Sequence, residues 1–143
     1  MKKEKCKMKI NNVTAGVQVR GDFQKCFDFY TEKLGLVPID NYKDKGYVSF
    51  SNYKHGVPFF AIYAAKDASN RVDEYEIPSN SESSDTLSAV FHTMDFEHDY
   101  KRMLEAGVEF IGKKNFASEG FDFSLAYFRD PEGNLLSLED GGV

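Results

Sequence analysis

The sequence predicts an α+β fold made of one βαβββ unit used twice, and three observations carry the prediction. Two stretches of the chain resemble each other, Ala15–Tyr30 and Ser88–Met103. Each passes from an alternating run through an Asp-Phe pair into a helical period. After each helix come three further strand-like runs.

The first unit opens on the alternating run Ala15–Val19. In the helix that follows, Phe23, Cys26, Phe27, Tyr30 and Leu34 recur at i, i+3, i+4, i+7 and i+11 and form one apolar stripe. Asp22 stands at the N-cap, where a carboxylate accepts an unpaired backbone N–H, and Gly35 supplies the stop. Strand-like runs follow at Leu36–Tyr42, Tyr47–Ser51 and Val57–Ala65. The second unit repeats the scheme with Asp95 as cap, Phe96, Tyr100, Met103 and Leu104 as stripe, and Gly107 as stop. Its later strands are read at Val108–Phe116, Phe123–Phe128 and Leu135–Glu139. Asp130-Pro131-Glu132-Gly133 fits a type I turn that joins the last two as a hairpin. The organisation is therefore a basic N-terminal arm (1–12), a first module (13–65), a polar linker (66–86) and a second module (87–143).

Composition narrows the class. A chain of 143 residues, 41% of them apolar, buries roughly 70% of its unfolded surface and needs no metal or disulfide to form a core. No apolar run approaches the length of a membrane span, and the basic start has no apolar segment of the signal-peptide kind. Two cysteines make no disulfide framework, which points to a cytoplasmic setting. A net charge of −5 argues against a nucleic-acid partner and for neutral or cationic small molecules. No GxSxG, GxGxxG, phosphate-binding loop or CxxC is present.

Three phrases add a resemblance. Phe29-Tyr30-Thr31-Glu32-Lys33-Leu34-Gly35-Leu36, Leu104-Glu105-Ala106-Gly107-Val108 and Tyr127-Phe128-Arg129-Asp130-Pro131-Glu132-Gly133-Asn134 are similar, in order and placement, to motifs of the vicinal oxygen chelate superfamily. That superfamily includes glyoxalases, extradiol dioxygenases, and fosfomycin- and bleomycin-resistance proteins. The resemblance implies cupped mixed sheets around a cavity, and a homodimer. In metal-bearing relatives, His or Glu on the first and last strands of each module hold a divalent ion. Here the corresponding positions fall on Thr14 (or Ala15), on Ala61–Tyr63, on Ser88 and on Ser137, none of them His or a carboxylate. Hydroxyls are poor ligands for such ions, so the expectation is no metal and no cofactor.

Alternation places Gly16 and Gln18 on the cup side of the first strand, and puts Ser88 and His92 on one face and Ser137 and Glu139 on another that meets it. With Tyr63 these give a candidate ligand-binding set: Gln18, Tyr63, Ser88, His92, Ser137 and Glu139. Phe59, Phe60, Tyr47 and Phe50 are further candidates for an aromatic wall, of which about a third are expected to reach the cavity. His55 and His98 read as solvent-facing. The function expected is metal-free binding of a small organic molecule, as in the bleomycin-resistance branch, with antibiotic or toxic-metabolite sequestration as its form. Two alternatives stay open: a metal-dependent lyase, isomerase or dioxygenase using His92 and Glu139 as non-standard ligands, and a regulatory or partner-binding module working through the acidic linker.

Overall fold

A computed structural model describes Lys9 and residues 12–65 and 87–141. The polar segment 66–86, and the N-terminal arm apart from Lys9 and Asn12, lie outside the described residues. The first unit runs β1 (Ala15–Val19), α1 (Phe23–Asp28), β2 (Val37–Tyr42), β3 (Tyr47–Ser51) and β4 (Phe60–Ala64). The second runs β5 (Leu87–Thr93), α2 (Phe96–Glu105), β6 (Phe110–Asn115), β7 (Ser124–Arg129) and β8 (Leu135–Asp140). Each unit forms its own four-stranded mixed sheet, in the order β1-β4-β3-β2 and β5-β8-β7-β6. The first strand pairs in parallel with the last, and the hairpin strands pair antiparallel. The edge strands β1 and β5 lie against each other. Among the described residues no helix is long and apolar enough to cross a membrane.

Local chemistry explains the element ends. Asp22 Oδ1 accepts the Lys25 N–H at 3.0 Å, and Asp95 Oδ1 accepts that of His98 at 3.2 Å. Gly35 and Gly107 stop the helices with φ of +75° and +94°, a left-handed conformation that costs glycine little. In the Asp130–Gly133 turn the Gly133 N–H returns to the Asp130 carbonyl at 2.9 Å.

One departure from regularity matters. After Asp28 the first helix widens into a π-helical turn over Phe29–Lys33, closed by Leu34 N–H to the Phe29 carbonyl. The Thr31 hydroxyl takes the Phe27 carbonyl at 2.8 Å, side-chain competition of the kind that loosens a helical ladder. The extra residue rotates the helix so that Phe29, which the expected stripe omits, is buried beside Tyr30.

The core is continuous across both units. Val17, Val19, Phe50, Phe60 and Ile62 meet Phe128, Leu136 and Leu138 in one buried cluster. Phe60 packs edge-on against Phe91 at 5.2 Å, and Phe29 lies 6.3 Å from Phe128. Cys26, fully buried on the α1 stripe, serves as a small apolar group there. Of the aromatic-wall candidates, Phe50 and Phe60 belong to this core rather than to a ligand wall, because strand alternation turns them toward the helices.

Candidate functional site

Burial fixes which face each strand offers. Val17 and Val19 are buried, so Gly16 and Gln18 lie on the opposite, helix-free face. In the second sheet Ala89 and Phe91 pack on the core, which leaves Ser88, Val90 and His92 on the corresponding face. Leu136 and Leu138 are likewise buried, which leaves Leu135, Ser137 and Glu139. All six candidate residues thus share the open face of their sheets.

Strand register then groups them. Gln18 stands opposite Tyr63 across the β1–β4 ladder, one rung before its end at Val19 and Ala64. His92 stands opposite Glu139 across β5–β8, likewise one rung before the end at Thr93 and Asp140. Ser137 is fully buried, and its hydroxyl donates to Glu139 Oε2 at 2.8 Å. Ser88 lies exposed near the start of β5, beside a register shift. Tyr127 pairs with Ser137, and Tyr42, Tyr47 and Tyr63 follow one another in register across the first sheet. A Cβ on Gly16 would come within 3.2 Å of the Tyr63 ring, so the phenol lies across that glycine. Burial, and then the charge of Asp40, push the Tyr47 phenol up from its ordinary pKa. Asp40 itself accepts the hydroxyl of buried Ser49 at 2.9 Å.

The six residues do not form a single cluster. Asn134 Nδ2 reaches the Gln18 carbonyl at 3.5 Å, which sets the end of β1 beside the start of β8. Glu139 lies five residues beyond Asn134, roughly 16 Å along the strand at ~3.3 Å per residue. Gln18 with Tyr63 and His92 with Glu139 and Ser137 therefore stand at opposite ends of the open face. Two grooves lie elsewhere. One of about 690 Å³ runs between α2 and the Leu34–Leu36 connection and takes in His92. Another of about 710 Å³ runs between α1 and the Gly107–Ile111 connection. Neither is lined by Gln18, Tyr63, Ser88, Ser137 or Glu139.

The positions that carry metal ligands in metal-bearing relatives hold no matching donor set. The Thr14 hydroxyl donates to the Pro58 carbonyl, Ala61 is apolar, and the Ser137 hydroxyl is committed to Glu139. Among the described residues no group of three or more His, Cys, Asp or Glu side chains is arranged so that it could hold a metal ion.

The sequence profile of the Glyoxalase/Bleomycin resistance protein/Dioxygenase superfamily matches residues 9–138. The chain belongs to that superfamily. Solved structures repeat its fold. The lactoylglutathione lyase of Agrobacterium tumefaciens superposes with a TM-score of 0.66 at 18% identity, over 92% of this chain and 93% of that one. TnmS3, an antibiotic binding protein from Streptomyces sp. CB03234, gives 0.59 at 24% identity over 93% and 98%. TioX from Micromonospora sp. ML1 gives 0.64 at 11% identity over 91% and 98%. At these identities the likeness is one of fold. No curated protein matches the chain.

Sequence reasoning missed the residues that join the superfamily's two modules. Tyr30 and Asp130 are both buried, and the phenol donates to Asp130 Oδ2 at 2.6 Å. Glu132 accepts the backbone N–H groups of Arg20 and Gly21, and Arg102 Nη2 donates to the Leu34 carbonyl at 2.6 Å. Burial and the Asp130 charge hold the Tyr30 phenol well above its ordinary pKa. The Asp-Pro-Glu-Gly-Asn turn was legible as a turn; nothing local to it announces a partner a hundred residues away.

Proposed function

We propose that this protein binds a small organic molecule without a metal ion, on the open face shared by Gln18, Tyr63, Ser88, His92, Ser137 and Glu139. One observation carries the reading. Where metal-bearing relatives place ligands the chain has hydroxyls and alanine, while a few polar groups remain on an otherwise apolar and phenolic surface, Glu139 held by Ser137 and His92 in register with it. Sparse, placed polar groups on an apolar wall orient a ligand and ask nothing of chemistry. TnmS3, which shares the fold, is an antibiotic binding protein, and this supports sequestration of an antibiotic or a toxic metabolite as the form the binding takes. The same reading makes the protein a cytoplasmic homodimer, with a second copy completing each site.

A thermal-shift screen of drug-like and metabolite collections, run with and without EDTA, tests this. A ligand at 100 times its Kd adds about 2.7 kcal/mol of stability. The expected hit is insensitive to EDTA and weakened about tenfold or more by Glu139→Gln or by Tyr63→Ala, according to which end of the open face the ligand occupies. A stoichiometric divalent ion in the purified protein, lost in His92→Ala, would overturn the metal-free reading in favour of an enzyme.

A further inference from the structure

The groove of about 690 Å³ beside α2 has an arginine set in place by a backbone carbonyl and in no ion pair with a described residue. Arg102 Nη2 donates to the Leu34 carbonyl at 2.6 Å, at the end of the first module's helix. The guanidinium lies flat on Gly35: a Cβ there would sit 3.3 Å from both Nη1 and Nη2. Gly35, at φ +75°, is thus needed both for the helix stop and for the close approach of the arginine. The half-buried Arg102 makes no ion pair with a described residue, and its Nη1 and Nε carry no hydrogen bond.

The groove's two acids have hydrogen-bond partners of their own. Asp99 Oδ2 accepts the Thr93 hydroxyl at 2.6 Å and its Oδ1 faces His98 Nδ1 at 3.2 Å, while Asp95 Oδ1 caps α2. The accessible apolar wall of the groove is made by Phe91 and Phe59, over the buried Met103, Phe128 and Leu138. The volume lies within the range of small-molecule sites. A positioned guanidinium presents a planar fork of N–H donors that fits a carboxylate, and an apolar wall favours a body without further charge. Charges more than a Debye length away, about 8 Å at physiological salt, are largely screened, but Asp95 and Asp99 line the same groove, so a carboxylate is drawn here by the short-range fork of Arg102 and not by the groove's overall field.

We infer that this groove is a second ligand site, distinct from the open face, that takes a monocarboxylate with an apolar body, its carboxylate on Arg102 and its body on Phe91 and Phe59. The inference stands independently of the proposed function, since it uses no open-face residue except the rim of His92.

The test is titration of the full chain with 2-naphthoate, followed by amide ¹H–¹⁵N chemical shifts, against its neutral analogue 2-naphthamide. The expected result is saturable shifts centred on Gly35, Phe59, His92 and Met103, with the naphthamide bound about tenfold more weakly. Arg102→Gln should raise the Kd for naphthoate about tenfold, consistent with loss of a charge-assisted pair, and bring the two probes level. Lys33→Gln, which removes a cation from the other groove, should leave the Kd unchanged. Because Arg102 also bridges the modules, Phe59→Ala is the variant that leaves that bridge intact, and it should weaken both probes several-fold. No saturable binding, equal affinity for the two probes in the unmodified chain, or shifts centred on Tyr63 and Glu139 would each overturn the inference.

Discussion

The two modules share a plan and differ where they meet. Each has a capped helix, a glycine stop and a sheet whose buried face carries the core, yet the joining is one-sided. The β7–β8 turn of the second module reaches into the first, where Asp130 takes the Tyr30 phenol and Glu132 takes two backbone N–H groups. The corresponding β3–β4 turn, which begins at Asn52, makes no such reach: Asn52 is exposed and receives only the neighbouring Ser51 hydroxyl at 3.4 Å. On the helices, Met103 of α2 occupies the place that Tyr30 holds in α1, so an apolar side chain stands where a phenol would need a partner. The difference teaches that both copies together build one continuous core, while the side-chain hydrogen bonds that lock the modules to each other come from residues that only one copy carries.

The sharpest way to break this comparison is to remove the polar side chain that opens each turn, Asp130 in one and Asn52 in the other. Asp130 is 5% exposed and its two oxygens accept four bonds, from Tyr30 Oη, the Glu132 and Asn134 N–H groups and Asn134 Nδ2. Asp130→Ala should cost about 3 kcal/mol or more, because it orphans a buried phenol along with the turn's own donors. Asn52→Ala should stay within about 0.5 kcal/mol. Urea denaturation of both variants measures the gap, and near-equal losses would mean that the turns are interchangeable after all.

A second expectation concerns high pH and separates α1 from α2. Cys26 on α1 and Tyr30 in the π-helical turn that continues it have pKa values pushed up from ordinary values of 9.0 and 10.0, by burial first and then by the nearby Asp130 charge. Each group must stay protonated in the folded state, so its contribution is complete below the unfolded pKa and is lost as pH rises toward the folded one. Stability should therefore begin to fall near pH 9 and steepen past pH 10, by up to about 1.4 kcal/mol per pH unit for each group. Tyr30→Phe costs roughly 1 kcal/mol at neutral pH through the lost hydrogen bond and should flatten the limb above pH 10. Denaturation midpoints between pH 7 and 11 decide this, and an unchanged slope in Tyr30→Phe would sever the link between the buried phenol and alkaline unfolding.

What the sequence could and could not announce follows from the range of each signal. Strands, caps and glycine stops are written in neighbours a few residues apart, so Asp22, Asp95, Gly35 and Gly107 stand where their local chemistry puts them. Alternation puts Gln18, His92, Ser137 and Glu139 on the side of their strands opposite Val17, Phe91, Leu136 and Leu138, and Ser137 is fully buried there. Alternation gives a face, however, and not an end. That β1 finishes beside the start of β8 depends on how two sheets dock, and this separates Gln18 from Glu139 although both face the same way. The π-helical turn at Phe29–Lys33 was equally hidden, since an apolar stripe reads nearly the same with one residue added to a turn. The groove holding Arg102 required two distant pieces, the Leu34-Gly35 helix stop and α2, to be in place at once.

The smallest effect sharpens the comparison at the helix starts. Asp22 and Asp95 make matching capping bonds, and either replaced by alanine should cost about 1 kcal/mol in isolation. Their surroundings differ. At α2 the Thr93 hydroxyl accepts the Asp95 N–H at 3.0 Å while donating to Asp99, so the start of that helix stays pinned to β5 when the Asp95 carboxylate is gone. At α1 the N–H groups just before the cap are held by Glu132 from the other module, so loosening Asp22 also loosens the joint. Asp22→Ala should therefore lower Tm by about 4 °C, and Asp95→Ala by clearly less. A double variant with Glu132→Ala should be non-additive with Asp22→Ala and additive with Asp95→Ala, since coupling requires shared contacts. Additivity in both pairs would show the first helix to be anchored by its own module alone.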